Sequence, residues 1–163
     1  MMNARLDAFC AWLELTPLAQ TLQTTEWVIP SLQILHILAI GLLMSSVLLV
    51  NLRLLNLVFA DQPLARIAAR FLPVIWWCLP VLLLTGMLMI TAEPARSLEN
   101  TAFQVKMLLL LMAVGLTLTT QLRVDTNRWG GERALRAGIA VFSLLLWVGI
   151  VFAGRWIAYV RVA

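Results

Sequence analysis

Across 163 residues the chain is 62% hydrophobic and only 12% charged, with a formal net charge of +4. Soluble domains are about half apolar, so a mean hydropathy of +0.93 excludes a water-soluble fold and points to a polytopic membrane protein. The basic residues stand dispersed at the ends of apolar runs, which argues against a nucleic-acid surface and fits membrane orientation.

Residues 4–15 place Leu6, Phe9, Cys10 and Leu13 at helical spacing, and Trp12 and Leu15 widen the apolar side. This pattern predicts a short amphipathic helix lying at the membrane surface. Pro17 limits it, and a polar stretch through Gln20, Gln23, Thr24 and Thr25 leads to Trp27 and Pro30. Trp27 suits the interface and Pro30 a first helical turn. Asp7, Glu14 and Glu26 in this region fit no cleavable signal peptide.

Four apolar runs follow, each near the roughly 20 residues that a bilayer core requires. The first spanning helix is predicted over about 30–59, its apolar part ending near Asn51 and Arg53, with Asp61, Gln62 and Pro63 as the turn. The second covers about 64–92 and contains Pro73 and Pro80, the latter freeing a carbonyl near Trp76. Glu93, Pro94, Arg96, Glu99 and Asn100 make the next loop, before a third helix over about 101–124. Asp125, Asn127, Gly130 and Gly131 break it, and the fourth covers about 133–160. Polar stretches of about 8–12 residues leave no room for a soluble domain. The expected architecture is therefore one all-α membrane domain over residues 1–163, a four-helix bundle preceded by an interfacial helix.

Arg53, Arg66, Arg70, Arg123, Arg128, Arg133 and Arg136 gather on the first-to-second and third-to-fourth connections. Retention of arginine on the cytoplasmic side then puts both termini outside, in the periplasm if the membrane is a bacterial inner membrane. Arg53 is expected to snorkel to the inner face. Cys10 and Cys78 fall at depths too different for a disulfide. A weak internal echo links Ala39-Ile40-Gly41-Leu42 and Ser45-Ser46 with Ala113-Val114-Gly115-Leu116 and Thr119-Thr120, the pattern a duplicated hairpin leaves.

His36, the one histidine, lies about 13 Å along its helix from Trp27, and Lys106 about 8 Å from Thr101. Arg155 lies about 8 Å before the helix end near Val160. A polar cluster near the external face, drawn from all four helices, is therefore expected. His36 shares a face with Leu32, Gln33, Ile40, Leu43 and Val47, while Gly41 and Ser45 lie opposite. Lys106 shares its face with Phe103, Leu110, Ala113, Thr117, Thr120 and Gln121, a small and polar stripe that should look inward.

His36 has three readings. It can be a neutral ring hydrogen-bonded to a carbonyl, Gln33 or water that holds helices together. It can ligate copper with Met89, Met107 or Cys78, since copper(I) favours thioether, thiolate and imidazole. It can be an axial ligand of haem b, with Met87, Met89, Met107 or a second copy of His36 opposite. Lys106 either snorkels outward, pairs with Glu93 or Glu99, or holds an anionic group such as a haem propionate. Arg155, with Trp156 and Tyr159, matches an interfacial belt and is the third candidate for cofactor contact. Trp76, Trp77 and Trp147 read as packing. Phosphate loops, metal-protease histidine pairs, Cys-x-x-Cys and a serine triad are absent from the sequence, so bond-making chemistry is not expected.

Trp27, His36, Asn51-Leu52-Arg53-Leu54-Leu55, Phe103 with Lys106, and Gly154-Arg155-Trp156-Ile157-Ala158-Tyr159 resemble a family of small bacterial membrane proteins with a domain of unknown function. That likeness spans almost the whole chain. In the family the histidine is followed by Asp-Leu-Arg-Leu-Leu-Gly, where this chain has Asn51 and Asn56. More loosely, the first-helix histidine, Thr85-Gly86 and the lysine early in the third helix are similar to the membrane domain of copper-resistance D-type proteins, which implies copper handling by analogy. Three functions are expected in turn: an inner-membrane protein binding or handling a metal ion, copper first, through His36, Met89 and Met107; a haem b electron-transfer subunit; or a structural partner without a ligand. Expected partners are the bilayer and either further copies of the chain or another membrane subunit, with no nucleic acid.

Overall fold

A computed structural model describes residues 2–94, 98, 100–125 and 133–156. Arg96, Glu99, Asn127, Arg128, Trp129, Gly130, Gly131 and residues 157–160 with Tyr159, all named above, lie outside the described residues. Helix α1 (Met2–Glu14) is the expected surface helix. A second short helix, α2 (Pro17–Thr24), occupies the stretch expected to be an irregular polar connection. The cause is local: the Thr16 hydroxyl accepts the Ala19 N–H at 3.3 Å, and Pro17 fills a first-turn position that needs no donor. Cys10, Ala19 and Leu22 are buried, and α2 packs on the next two helices, whereas Phe9, Trp12, Leu15 and Leu18 stay exposed. Such an exposed apolar set suits a helix pair embedded among lipid headgroups.

Four long helices follow: α3 (Val28–Leu54), α4 (Leu64–Ala92), α5 (Thr101–Asp125) and α6 (Arg133–Trp156). Each is long and apolar enough to cross a membrane. The α4 boundaries fall as expected, and α5 ends one residue later than expected. Helix α3 differs, stopping at Leu54 rather than near Phe59. Asn56 and Phe59 have φ of 58° and 50°, left-handed conformations that no α-helix continues through. Arg53 holds this turn instead of snorkelling. It is buried, donating from Nε at 3.0 Å and Nη2 at 2.6 Å to the Gln62 carbonyl, and from Nη1 to Asn56 Oδ1.

Helix α3 packs along α4, and α5 along α6; α3 also meets α6, and α4 meets α5. The pairs α3–α5 and α4–α6 share no contact among the described residues, so they are the diagonals of a four-helix bundle. The starts of α3 and α5 and the finishes of α4 and α6 share one end, here called the terminal end. Leu43, Val47, Leu72, Ile75, Cys78, Ala113 and Trp147 form the interior, while Ile34, Leu38, Leu111 and Phe152 are exposed. Exposed apolar flanks around a buried axis mark a membrane-embedded protein in contact with lipid. Trp77 belongs to that lipid-facing set at 77% exposure, against its expected packing role, and both cysteines are free and buried.

With no water to expel between helices in lipid, small residues and hydroxyls set the close packing. Ala39 and Ala113 are buried, and the Ser46 and Thr120 hydroxyls donate to the carbonyls of Leu42 and Leu116, both at 2.9 Å. These are matching positions of the internal echo, and they lie on the two diagonal helices.

Candidate functional site

His36 sits on α3 about 12 Å from its start, and Thr85 on α4 about 10 Å from its finish. The shared depth lets His36 Nδ1 and Thr85 Oγ1 meet at 2.6 Å across the helix pair. Sequence reasoning offered a carbonyl, Gln33 or water as partner; Gln33 is exposed, and the threonine of the neighbouring helix is the partner. In the sequence Thr85 stands out only through the Thr85-Gly86 likeness. The pairing was hidden because it depends on the register between α3 and α4.

One proton assignment of this pair leaves the ring neutral with Nε2 bare. Thr85 has one hydroxyl proton, and its backbone geometry offers that proton to the Val81 carbonyl at 2.7 Å, with Leu82 O further off at 3.3 Å. With that proton on Val81, the Thr85 oxygen accepts and His36 Nδ1–H donates across the 2.6 Å contact. A neutral imidazole in this tautomer leaves Nε2 with a bare lone pair. Gly86 packs beside the ring: a Cβ built there would meet His36 Cε1 at 3.7 Å, an ordinary van der Waals contact.

Lys106, about 8 Å into α5, completes the level. Its half-buried ammonium is within Coulombic reach of the His36 ring. On α6, a Cβ built at Gly154 would meet Lys106 Cε and Nζ at 3.8 Å, so the stem lies along a glycine on that helix. Among the described residues no carboxylate pairs with this ammonium, and Glu93 is exposed at the finish of α4. The expected inward stripe is present: Ala113, Thr117 and Thr120 are all buried. Each of the four long helices therefore contributes a residue to one cluster near the terminal end.

The remaining candidates are less central. Met89 lies one turn beyond Thr85 on the same face of α4, and Met107 follows Lys106; both are half-buried. Cys78 is seven residues deeper than Thr85, about 10 Å, inside the apolar core and away from the cluster. Arg155 is exposed, next to Gly154. Among the described residues, no three His, Cys, Asp or Glu side chains converge as a metal site would require.

A family model described as a family of unknown function, DUF6644, matches residues 9–160. No curated protein and no solved structure matches the chain. The match covers the first resemblance noted in the sequence; the second, to copper-resistance D-type proteins, has no counterpart among these comparisons.

Proposed function

The chain belongs to this family of unknown function, and from its geometry we propose a membrane-embedded binding protein whose His36 ligates a metal centre, in an accessory or electron-transfer role rather than as an enzyme. The observation that carries the proposal is the His36–Thr85 bond at 2.6 Å. Metal-ligating histidines generally donate their other ring N–H to a fixed acceptor, which sets tautomer and orientation. Thr85 supplies that acceptor and points Nε2 away from itself.

Lys106 bears on which centre it is. A bare copper ion beside an unpaired ammonium meets repulsion in surroundings of low dielectric. A haem b carries anionic propionates that such an ammonium can pair with, and Lys106 favours this reading. Met89, Met107 or the His36 of another copy would hold such a haem together with His36. Copper(I) remains the competing ligand because Met89 and Met107 offer thioethers at the same level. Among the described residues, Arg53, Arg66, Arg70, Arg123, Arg133 and Arg136 at the opposite end support a bacterial inner-membrane location with the cluster and both termini periplasmic.

Purified full-length protein in detergent tests this through its absorption spectrum and metal content. A Soret band lost in His36→Ala supports haem. Stoichiometric copper without that band, lost in the same variant, supports the copper reading. Neither signal, with His36→Ala only less stable, leaves His36 as a packing residue and overturns the proposal.

A further inference from the structure

Deeper on the bundle axis is a second polar site, independent of the His36 reading. Asn51 is fifteen residues on from His36, about 22 Å along α3. Between the two levels lies the apolar layer of Leu43, Cys78, Ala113 and their neighbours. Beyond it, Asn51, Thr117, Thr120 and Ser143 line a small cavity, walled otherwise by aliphatic side chains of α3 and α4. All four polar residues are more than nine-tenths buried. The cavity has room for about one water molecule.

The hydrogen-bond inventory of these four groups is unbalanced. Asn51 Nδ2 donates to the Val47 carbonyl at 2.8 Å and to Ser143 Oγ at 3.3 Å, using both its hydrogens. The carbonyl fixes the amide orientation, since the reverse placement would set two acceptors against each other. Asn51 Oδ1 is therefore left as an acceptor. Thr117 donates to Ala113 O at 2.8 Å and Thr120 to Leu116 O at 2.9 Å, so their oxygens have only lone pairs to offer the cavity. Ser143 receives the Asn51 hydrogen and keeps its own proton. Three acceptors and one donor converge on a space of one-water size.

The bundle geometry makes this imbalance meaningful. Asn51 is on α3 and Thr117 and Thr120 are on α5, the diagonal pair that does not touch. No direct hydrogen bond joins them among the described residues, and an unpaired buried oxygen costs about 1–3 kcal/mol. The indole N–H of Trp147, one turn from Ser143 on the same face of α6, is buried with no acceptor among the described residues. That stretch of the axis is polar and under-satisfied.

We propose that this cavity is a binding site for a single ordered water that bridges the diagonal helices. The water accepts from Ser143 O–H and donates to Asn51 Oδ1 and to one of the two threonine oxygens, giving the roughly three hydrogen bonds usual for buried water. A sodium ion is the competing occupant of matching size, since four neutral oxygens could contact it.

A crystal structure of the full chain in lipid, at a resolution that shows ordered solvent, should contain one peak within hydrogen-bond distance of Asn51 Oδ1, Ser143 Oγ and Thr117 or Thr120. Melting of the same protein should be unchanged when choline replaces sodium in the buffer. No peak in the cavity would overturn the proposal. So would a melting midpoint that climbs with sodium and not with choline, which would reassign the site to the ion.

Discussion

Replacing Thr85 by valine keeps the shape of the side chain and removes the oxygen that receives His36 Nδ1–H at 2.6 Å. The helix itself loses little, because the Val81 carbonyl is already within the backbone hydrogen-bond ladder of α4. The cost to stability is then that of one interhelical bond in a membrane bundle, about 0.6–1.7 kcal/mol. Binding should suffer more. Loss of the group that orients a metal-binding histidine weakens metal affinity about 10–100-fold, because the ring turns freely and Nε2 is no longer held as the bare nitrogen. The assay is titration of purified Thr85→Val and Thr85→Ser with haem and with copper(I), beside thermal melting of the metal-free proteins. Thr85→Ser keeps the acceptor and should bind within a few-fold of wild type. Wild-type affinity in Thr85→Val, or equal losses in both variants, would refute the orienting role of Thr85.

Lys106→Met has similar length and removes an ammonium with no carboxylate partner among the described residues; the metal-free protein should melt at an equal or higher temperature while haem retention falls. A sharp drop in the melting temperature of the metal-free protein would show that the ammonium is a structural group. Asn56→Val forces a branched side chain into φ of 58° and removes the acceptor of Arg53 Nη1. It should destabilise by about 2–4 kcal/mol in thermal or denaturant unfolding. Asn56→Gly accepts that backbone angle and should lose only the Arg53 contact, so equal losses in the two variants would contradict the left-handed turn.

Most of the architecture was legible because bilayer thickness and backbone satisfaction leave few solutions for apolar runs of this length. Helical period also set Leu43 and Val47 on one face of α3 with Gly41 and Ser45 opposite, and Ala113, Thr117 and Thr120 on one inward stripe; Leu43, Val47 and that stripe are buried, and Gly41 and Ser45 are exposed. Local turn chemistry was harder to see. The Thr16-Pro17 start of α2 is a short signal inside a polar stretch, and the end of α3 is set by Arg53 reaching nine residues on to Gln62. Depth along the helices placed His36 and Lys106 at one level, but the choice of Thr85 as partner required the α3–α4 register. The Asn51–Asn56 stretch gains a physical reading: asparagine at position 56 suits the left-handed turn, and Arg53 clamps the loop. The sequence reads Trp76 as packing, yet its indole N–H donates to Gln121 on α5, a pairing that no single-helix pattern reveals.

The central claim is that His36 presents a bare Nε2 because Thr85 holds its Nδ1–H. The chain has one histidine, so full-length protein without a histidine tag, labelled at the ring nitrogens of histidine, gives the magnetic-resonance signals of this imidazole alone. The account predicts a neutral ring in the metal-free protein with the proton on Nδ1, and a shift of the Nε2 signal when haem or copper is added. A proton on Nε2, a doubly protonated ring, or an Nε2 signal indifferent to both ligands would contradict it.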